Sequence, residues 1–450
     1  MPDTRWQTRS YSYRIASVTA LSGFLFGFDT AIINGAIVFL RRQFRWTEIE
    51  TEFAAGSLLA GCALGAGVAG ALSDRFGRKI VLLLSAVIFA LSSVATALPN
   101  GLGGFVAARV VAGVAIGIAS MLAPLYIAEV SPAAIRGRLV SMNQLAIVLG
   151  ILISYLVGWA LAGVGEGSWR WMFAVAAAPS LLFFGALFFV PESPRWLVKE
   201  GRHDEAAGVL ARLGEPPSQL REIERAIAEE SGSLGQLLAP GMRRPLVIGV
   251  TLAILQQVTG INTVLYYGSI IFTEQAGAAS TSAALWANVL VGAMNLVFTV
   301  IALFTIDRLG RKVLLISAAA GMGLALTALG FVFAAGSVTP SRVLAWILCY
   351  VACFSFGMGP GVWVVISELF PTRIRGRAMS LATVALWLAC LLITVTFLSL
   401  VKAFTAAGAF WIYALMCACT VWFVWKFTPE TKGKNLEEIE QQWKTGVKHG

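Results

Sequence analysis

Twelve apolar stretches, each long enough to cross a lipid bilayer, constrain this chain more than any motif in it. They fall at about 15–38, 53–72, 80–98, 104–126, 139–161 and 170–190, then 245–271, 284–305, 313–335, 342–366, 378–400 and 404–427. A helix needs roughly 20 apolar residues to cross a hydrocarbon core about 30 Å thick. Inside lipid the backbone must satisfy its own polar groups, so these stretches predict helices. Of 450 residues, 58% are hydrophobic and 13% charged, against about 25% charged in an average soluble domain. That balance excludes a soluble enzyme, a disordered chain and a disulfide scaffold. The expected fold is an all-α membrane protein of twelve transmembrane helices in two groups of six. The expected boundaries are an N-terminal bundle over 1–190, a cytoplasmic helical linker over 191–244, a C-terminal bundle over 245–428 and a cytoplasmic tail over 429–450.

The formal net charge of +10 could suggest a nucleic-acid partner, but its placement argues otherwise. Numbering the loops puts 27 of the 34 lysines and arginines on one side, eight of them between Arg195 and Arg244. Arg41, Arg42, Arg45, Arg170, Arg342 and Lys402 fall on the other side. Positive loops face the cytoplasm, so both termini and the linker are expected there, and the partner of the surface is a lipid bilayer. The basic N-terminus leads into a long apolar span without a cleavage signal, which predicts a first transmembrane helix rather than a removed signal peptide. All six cysteines lie in apolar runs and act as small hydrophobes. The two histidines, His203 and His449, lie in polar segments, which argues against a histidine metal site or intramembrane relay. Short outer loops and the lack of an Asn-x-Ser/Thr sequon fit a bacterial inner membrane. Within the linker, 204–213 and 220–230 each have the pattern of a short amphipathic helix.

The chain also repeats itself. Asp74-Arg75-Phe76-Gly77-Arg78-Lys79 returns as Asp307-Arg308-Leu309-Gly310-Arg311-Lys312. Glu129 and Arg136-Gly137-Arg138 return as Glu368 and Arg375-Gly376-Arg377, and Pro191-Glu192-Ser193-Pro194 returns as Pro429-Glu430-Thr431-Lys432. Such in-register recurrence marks a duplicated six-helix unit, with a substrate site expected between the halves near the bilayer midplane.

These paired motifs, together with Pro191 to Leu197, Gln256-Gln257-Val258-Thr259-Gly260-Ile261-Asn262 and the closing Pro429-Glu430-Thr431-Lys432-Gly433, resemble the sugar porter family of the major facilitator superfamily. The resemblance runs from about Gly23 to Gly433 and implies proton-coupled symport of a monosaccharide, a hexose or a pentose, by alternating access. A facilitative sugar or inositol uniporter is the alternative, and a transporter-like sugar sensor is a more distant one. The resemblance implies no enzyme activity, no cofactor and no metal, and nothing in the sequence calls for an obligatory protein partner.

Two formal charges fall well inside the spans, Asp29 and Arg109. A lone charge at the bilayer centre costs at least about 2.5–3.5 kcal/mol, so the two are expected to meet as a pair facing the bundle interior. The pair is either structural or the proton-coupling site. In the coupling role, Asp29 stays charged beside Arg109 and takes a proton when the two separate in apolar surroundings. The resemblance assigns Asp29 that role, since it matches the acid of proton-linked relatives in a glycine-rich first helix.

A sugar offers many hydroxyls on a ring with apolar faces, so its site needs amides and aromatic plates. The seventh span supplies Gln256, Gln257, Asn262 and Tyr266, with Gly260 permitting local unwinding or close approach. Interhelical hydrogen bonding is the structural alternative for these amides. By resemblance they bind the sugar, together with Gln144, Asn295, Trp363 and Trp387. Trp387 is equally open to a lipid-facing or core role. Leu386 stands where the family commonly has an amide, which leaves one polar contact out and the identity of the sugar open. The resemblance also implies a cytoplasmic gate of pairs among Asp74, Arg78, Glu129, Arg136, Asp307, Arg311, Glu368 and Arg375. In the tail, Asn435 and Glu438 are expected to cap a docking helix.

Overall fold

The computed structural model describes residues 3–132, 135–228, 242–336, 338–370 and 372–430, with the side chains of 3–9, 307, 367 and 372–375 not described. The first six spans are α1 (Asp3–Phe44), α2 (Glu48–Phe76), α3 (Arg78–Ala97), α4 (Leu102–Glu129), α5 (Arg136–Leu161) and the pair α6 (Ser168–Ala174) and α7 (Ala177–Leu187). Three short helices follow in the linker, α8 (Pro194–Lys199), α9 (His203–Arg212) and α10 (Ser218–Ala228). The second six are α11 (Arg243–Val258) with α12 (Ile261–Ile270), α13 (Thr281–Leu309), α14 (Arg311–Ala334), α15 (Pro340–Cys353) with α16 (Gly359–Leu369), α17 (Thr372–Thr394) and α18 (Phe397–Phe427). Twelve helical segments among the described residues are long and apolar enough to span a membrane. The chain is an integral, multi-pass membrane protein of the all-α class expected from its sequence.

Local sequence explains where these helices start. Thr47 and Glu50 form a reciprocal capping box at the start of α2, with Glu50 N donating to Thr47 Oγ1 at 3.3 Å and Thr47 N to Glu50 Oε2 at 2.9 Å. Each bond satisfies a donor that a helix N-terminus leaves open. Ser280 caps α13, Thr339 caps α15 ahead of Pro340, and Ser193 caps α8 ahead of Pro194. Lipid gives no hydrophobic drive to helix pairing, so close packing must come from small residues. A Cβ on Gly61 of α2 would fall 2.1 Å from the Val110 carbonyl oxygen, and one on Gly113 of α4 would fall 2.0 Å from that of Leu58. The α1–α5 pair is equally tight at Gly27, where a Cβ would fall 1.9 Å from the Ile147 carbonyl oxygen.

The halves meet through polar contacts toward the face opposite the linker. Arg41 pairs with Glu274 at 2.6 Å, Arg42 donates to Thr281 at 3.1 Å and Lys402 lies 3.6 Å from Glu48. Deeper in, Asn34 of α1 binds α12: its Nδ2 donates to the Leu265 carbonyl at 2.9 Å, and its Oδ1 accepts from Ser269 N at 2.7 Å.

Several expectations need correcting. The eleventh span ends at Thr394 and the next helix begins at Phe397, not near 400 and 404, and that helix kinks at Thr405, whose φ is +64°. Neither Gly nor Pro marks the Val395-Thr396 corner, so hydropathy runs through it. A further acidic residue, Glu52, is 2% exposed inside α2, one position outside the apolar window set for that span. The second linker helix begins at Ser218 rather than Leu220 and is described as far as Ala228. The expected tail helix at Asn435 and Glu438 lies outside the described residues.

Candidate transport site

The first part of the site comes from the N-terminal half. Close packing of Gly27 on α5 fixes α1 against its neighbour, and Asp29 follows two residues on. Arg109, fully buried in α4, reaches Asp29 with Nη1 at 2.7 Å from Oδ2 and Nη2 at 3.3 Å from the Asp29 carbonyl. Asp29 itself is 2% exposed. The guanidinium lies 5.1 Å from the centre of the Phe173 ring, an arrangement that favours a desolvated cation. Its Nε is buried and has no hydrogen-bond partner among the described residues. Breaking a buried pair by removing one partner costs about 3–5 kcal/mol, because the other charge is left uncompensated. Tyr266 of α12 is buried, 2% exposed.

The second part comes from the C-terminal half, where the seventh span is broken. Gly260 adopts φ +92°, and a Cβ there would fall 2.7 Å from the Tyr413 ring. The break separates α11 from α12 and frees backbone groups, one of which is recovered when Tyr350 OH donates to the Thr259 carbonyl at 3.0 Å. Such breaks persist in a membrane only where neighbours recover the freed groups. The tenth span stays helical but carries a π-helical turn over Phe354–Met358. Gln256 Nε2 donates to the carbonyls of Met358 at 2.7 Å and Gly359 at 3.1 Å. Gln257 Nε2 donates to Gln256 Oε1 at 3.2 Å, and Asn262 Nδ2 donates to Gln257 Oε1. Asn295 of α13 joins through the same turn, its Oδ1 accepting from Ser355 Oγ at 2.8 Å. Among the described residues nothing donates to Asn262 Oδ1, and the residue is only half-buried.

The structure therefore brings Gln256, Gln257, Asn262 and Asn295 into one network around two helix irregularities. Trp363 packs half-buried against the core one turn beyond Gly359, and Gln144 is half-buried on α5. Trp387 is buried rather than lipid-facing. It packs edge-to-face on Phe26 of the other half, with centroids 5.2 Å apart, and its Nε1 has no partner among the described residues. Leu386 is buried beside it.

The charge motifs form joints within each half. Gly77 at φ +91° turns α2 into α3, and Gly310 at φ +89° turns α13 into α14. Arg78 donates to both oxygens of Glu129 at 3.1 and 3.2 Å and to Asp74 at 3.2 Å. Arg311 reaches Glu368 in the same fork, at 3.3 and 3.0 Å. Arg136 departs from expectation: among the described residues no carboxylate pairs with it, and it donates to the Ser131 carbonyl at 3.4 Å. It is exposed, where an ion pair gains little over hydration. The side chains of Asp307 and Arg375 lie outside the described set.

Sequence inspection missed what holds these joints. Glu192 accepts from the backbone N–H groups of Arg78 at 3.0 Å and Lys79 at 3.0 Å, and Glu430 accepts from those of Arg311 and Lys312, both at 3.1 Å. Each glutamate caps a transmembrane helix from a distant segment. Burial pushes the Glu192 carboxyl up, while the N–H donors of Ser193, Lys79 and Arg78 pull it back. The signal was available, since the two Pro-Glu motifs recur at nearly the spacing of the Gly-Arg-Lys turns they cap. Asn34 was also missed, though a lone amide in the apolar first span is costly without a partner.

Two six-helix halves with repeated joints, a buried charge pair in one and an amide network in the other define a membrane transporter of the major facilitator type. The chain belongs to the sugar porter family: the profile described as "Sugar (and other) transporter" matches residues 15–443. It is 41% identical to the D-xylose-proton symporter of Escherichia coli (strain K12), over 98% of this chain and 97% of that one. It is 39% identical to the arabinose-proton symporter of Bacillus subtilis (strain 168), again over 98% and 97%. The xylose transporter of E. coli in a partially occluded, inward-open conformation superposes with a TM-score of 0.85 at 37% identity, over 95% of this chain and 100% of that one.

Proposed function

We propose that this transporter moves a monosaccharide, a pentose or a hexose, together with a proton by alternating access. The observation that carries the coupling is the buried Asp29–Arg109 pair on a helix that also reaches the amide-bearing half. α1 holds Asp29 against Arg109 and, five residues on, presents Asn34 to α12. A proton taken by Asp29 discharges the pair, releases the guanidinium and loosens α1 where it grips α12. Bound sugar acts on α12 from the other side, through Asn262 and Tyr266. Gln144, Gln256, Gln257, Asn295, Trp363 and Trp387 complete the proposed sugar site. The unpaired Trp387 N–H and the open Asn262 carbonyl supply a donor and an acceptor for hydroxyls. The names of the xylose and arabinose symporters support a pentose, and Leu386 removes a polar contact at the ring's edge.

The joint pairs Arg78–Glu129 and Arg311–Glu368 act as gate elements by stiffening each half at the linker face. Excess Lys and Arg on that face support a cytoplasmic position for the linker and both termini, in the inner membrane of a bacterium.

The test is sugar uptake into proteoliposomes with and without an inward proton gradient, over a panel of pentoses, hexoses and inositol. Wild-type protein should accumulate one of them only with the gradient. Asp29→Asn should lose accumulation and keep sugar exchange. Gradient-independent equilibration by the wild type would replace symport by uniport.

A further inference from the structure

Neither the proposed proton site nor the sugar site uses Glu52, yet it is as buried as Asp29. One carboxylate oxygen accepts from the Ser399 backbone N–H at 2.8 Å and the other from the Ser399 hydroxyl at 2.7 Å. Ser399 is the third residue of α18, so its N–H is among the donors that a helix start leaves open. A carboxylate there also meets the positive end of the helix dipole. Glu52 belongs to the N-terminal half and Ser399 to the C-terminal half, so this cap crosses the seam.

A second observation on the same face of α2 shows how closely the halves approach. A Cβ on Gly56, one turn beyond Glu52, would fall 2.4 Å from Val395 Cγ1 and 3.0 Å from Leu391 Cδ1. The corner from Leu391 to Ser399 is thus clasped by α2. It is also tied to α12, where Tyr267 OH donates to the Thr394 carbonyl at 2.7 Å. Outward opening would separate α2 from this corner and leave the Ser399 N–H without the Glu52 carboxylate, while Tyr267 of α12 still holds Thr394.

We propose that Glu52 is an inter-half latch, a positioning residue of the transport cycle. Its carboxylate caps α18 while the face opposite the linker is shut and lets go when the halves part there. The latch sets how often that face opens, independently of which sugar is carried. It rests on the two halves moving against each other, not on Asp29 or on the substrate.

The test is hydrogen–deuterium exchange of the full-length protein in lipid nanodiscs, with neither sugar nor a proton gradient. Glu52→Ala should raise exchange roughly tenfold at 48–56 and 397–402, as expected for losing hydrogen bonds to a charged group, and lower it at the linker-face turns 74–82 and 310–316. Glu52→Gln, which keeps one acceptor for the Ser399 N–H, and Ser399→Ala, which keeps that N–H, should shift both faces the same way by less. Unchanged exchange, or a rise on both faces alike, would overturn the latch. Should Glu52→Ala not fold, the two milder variants decide by the same criterion.

Discussion

The two halves share a frame and differ in what they enclose. At the linker face each half turns on a glycine at positive φ, pairs an arginine with a glutamate at the end of the following span, and caps the next helix with a glutamate from a later segment. Within the membrane the likeness ends. The N-terminal half buries a charge pair on α1 and α4, whereas the C-terminal half breaks the seventh span, carries a π-helical turn in the tenth and sets amides beside both. Duplication preserved the joints, which keep each bundle stiff, while the buried polar groups diverged into a charge pair in one bundle and an amide network in the other. The joints themselves are not equal. The Arg78–Glu129 side chains are 7% and 8% exposed, against 12% and 26% for Arg311–Glu368. At the first joint Ser193, the cap of α8, donates its hydroxyl to Glu129, and Trp196 Nε1 of α8 donates to the Asp74 carbonyl at 3.1 Å.

This division of labour can be broken outright at Arg109. Arg109→Ala should destabilise the protein by about 3–5 kcal/mol, since Asp29 would be left buried and unpaired. Adding Asp29→Asn should recover much of that loss, and thermal unfolding in detergent measures both. An Arg109→Ala protein as stable as wild type would mean the pair is not buried in the working protein. A sharper division is expected at Gln256. Gln256→Ala removes the donor to Met358 and Gly359 and should weaken sugar binding by roughly 1–3 kcal/mol while leaving proton-dependent exchange measurable at high sugar. A loss of coupling with affinity unchanged would place the proton machinery in both halves. The smallest effect compares the joints. Glu192→Gln and Glu430→Gln should each cost roughly 0.5–2 kcal/mol as lost helix caps, with Glu192→Gln the larger because its surroundings are more closed. Equal losses in parallel melts would show that α8 adds nothing.

Much of the frame was legible because its causes are local. Hydropathy over some twenty residues reports a span, and recurrence of a charged turn reports a duplication. The Asp29–Arg109 pair was legible for the same reason, since an isolated charge in an apolar stretch demands a partner. The broken seventh span was half legible through Gly260, whose conformation only glycine adopts readily. What was hidden depends on which helices become neighbours. Glu52 stands one residue outside its apolar window and is buried only because α18 starts beside it. The corner after Thr394 has no breaker residue and is bent by contacts from α2 and α12. Arg136 resembles its neighbours in sequence but faces solvent, where position alone removes its partner.

The glycine contacts along α1–α5 and α2–α4 carry a consequence for altering what this protein carries. With a carbonyl oxygen 1.9 Å from where a Gly27 side chain would begin, these helix pairs admit no larger residue without separating. The first bundle is in effect a solid block on which substitutions are destructive rather than tuning. The seam with α12 is made of side-chain hydrogen bonds and the half-buried Asn262, and it can be rewritten one contact at a time. Libraries aimed at a different sugar should therefore leave the glycine faces untouched and vary Leu386, Trp363 and the residues flanking Asn262.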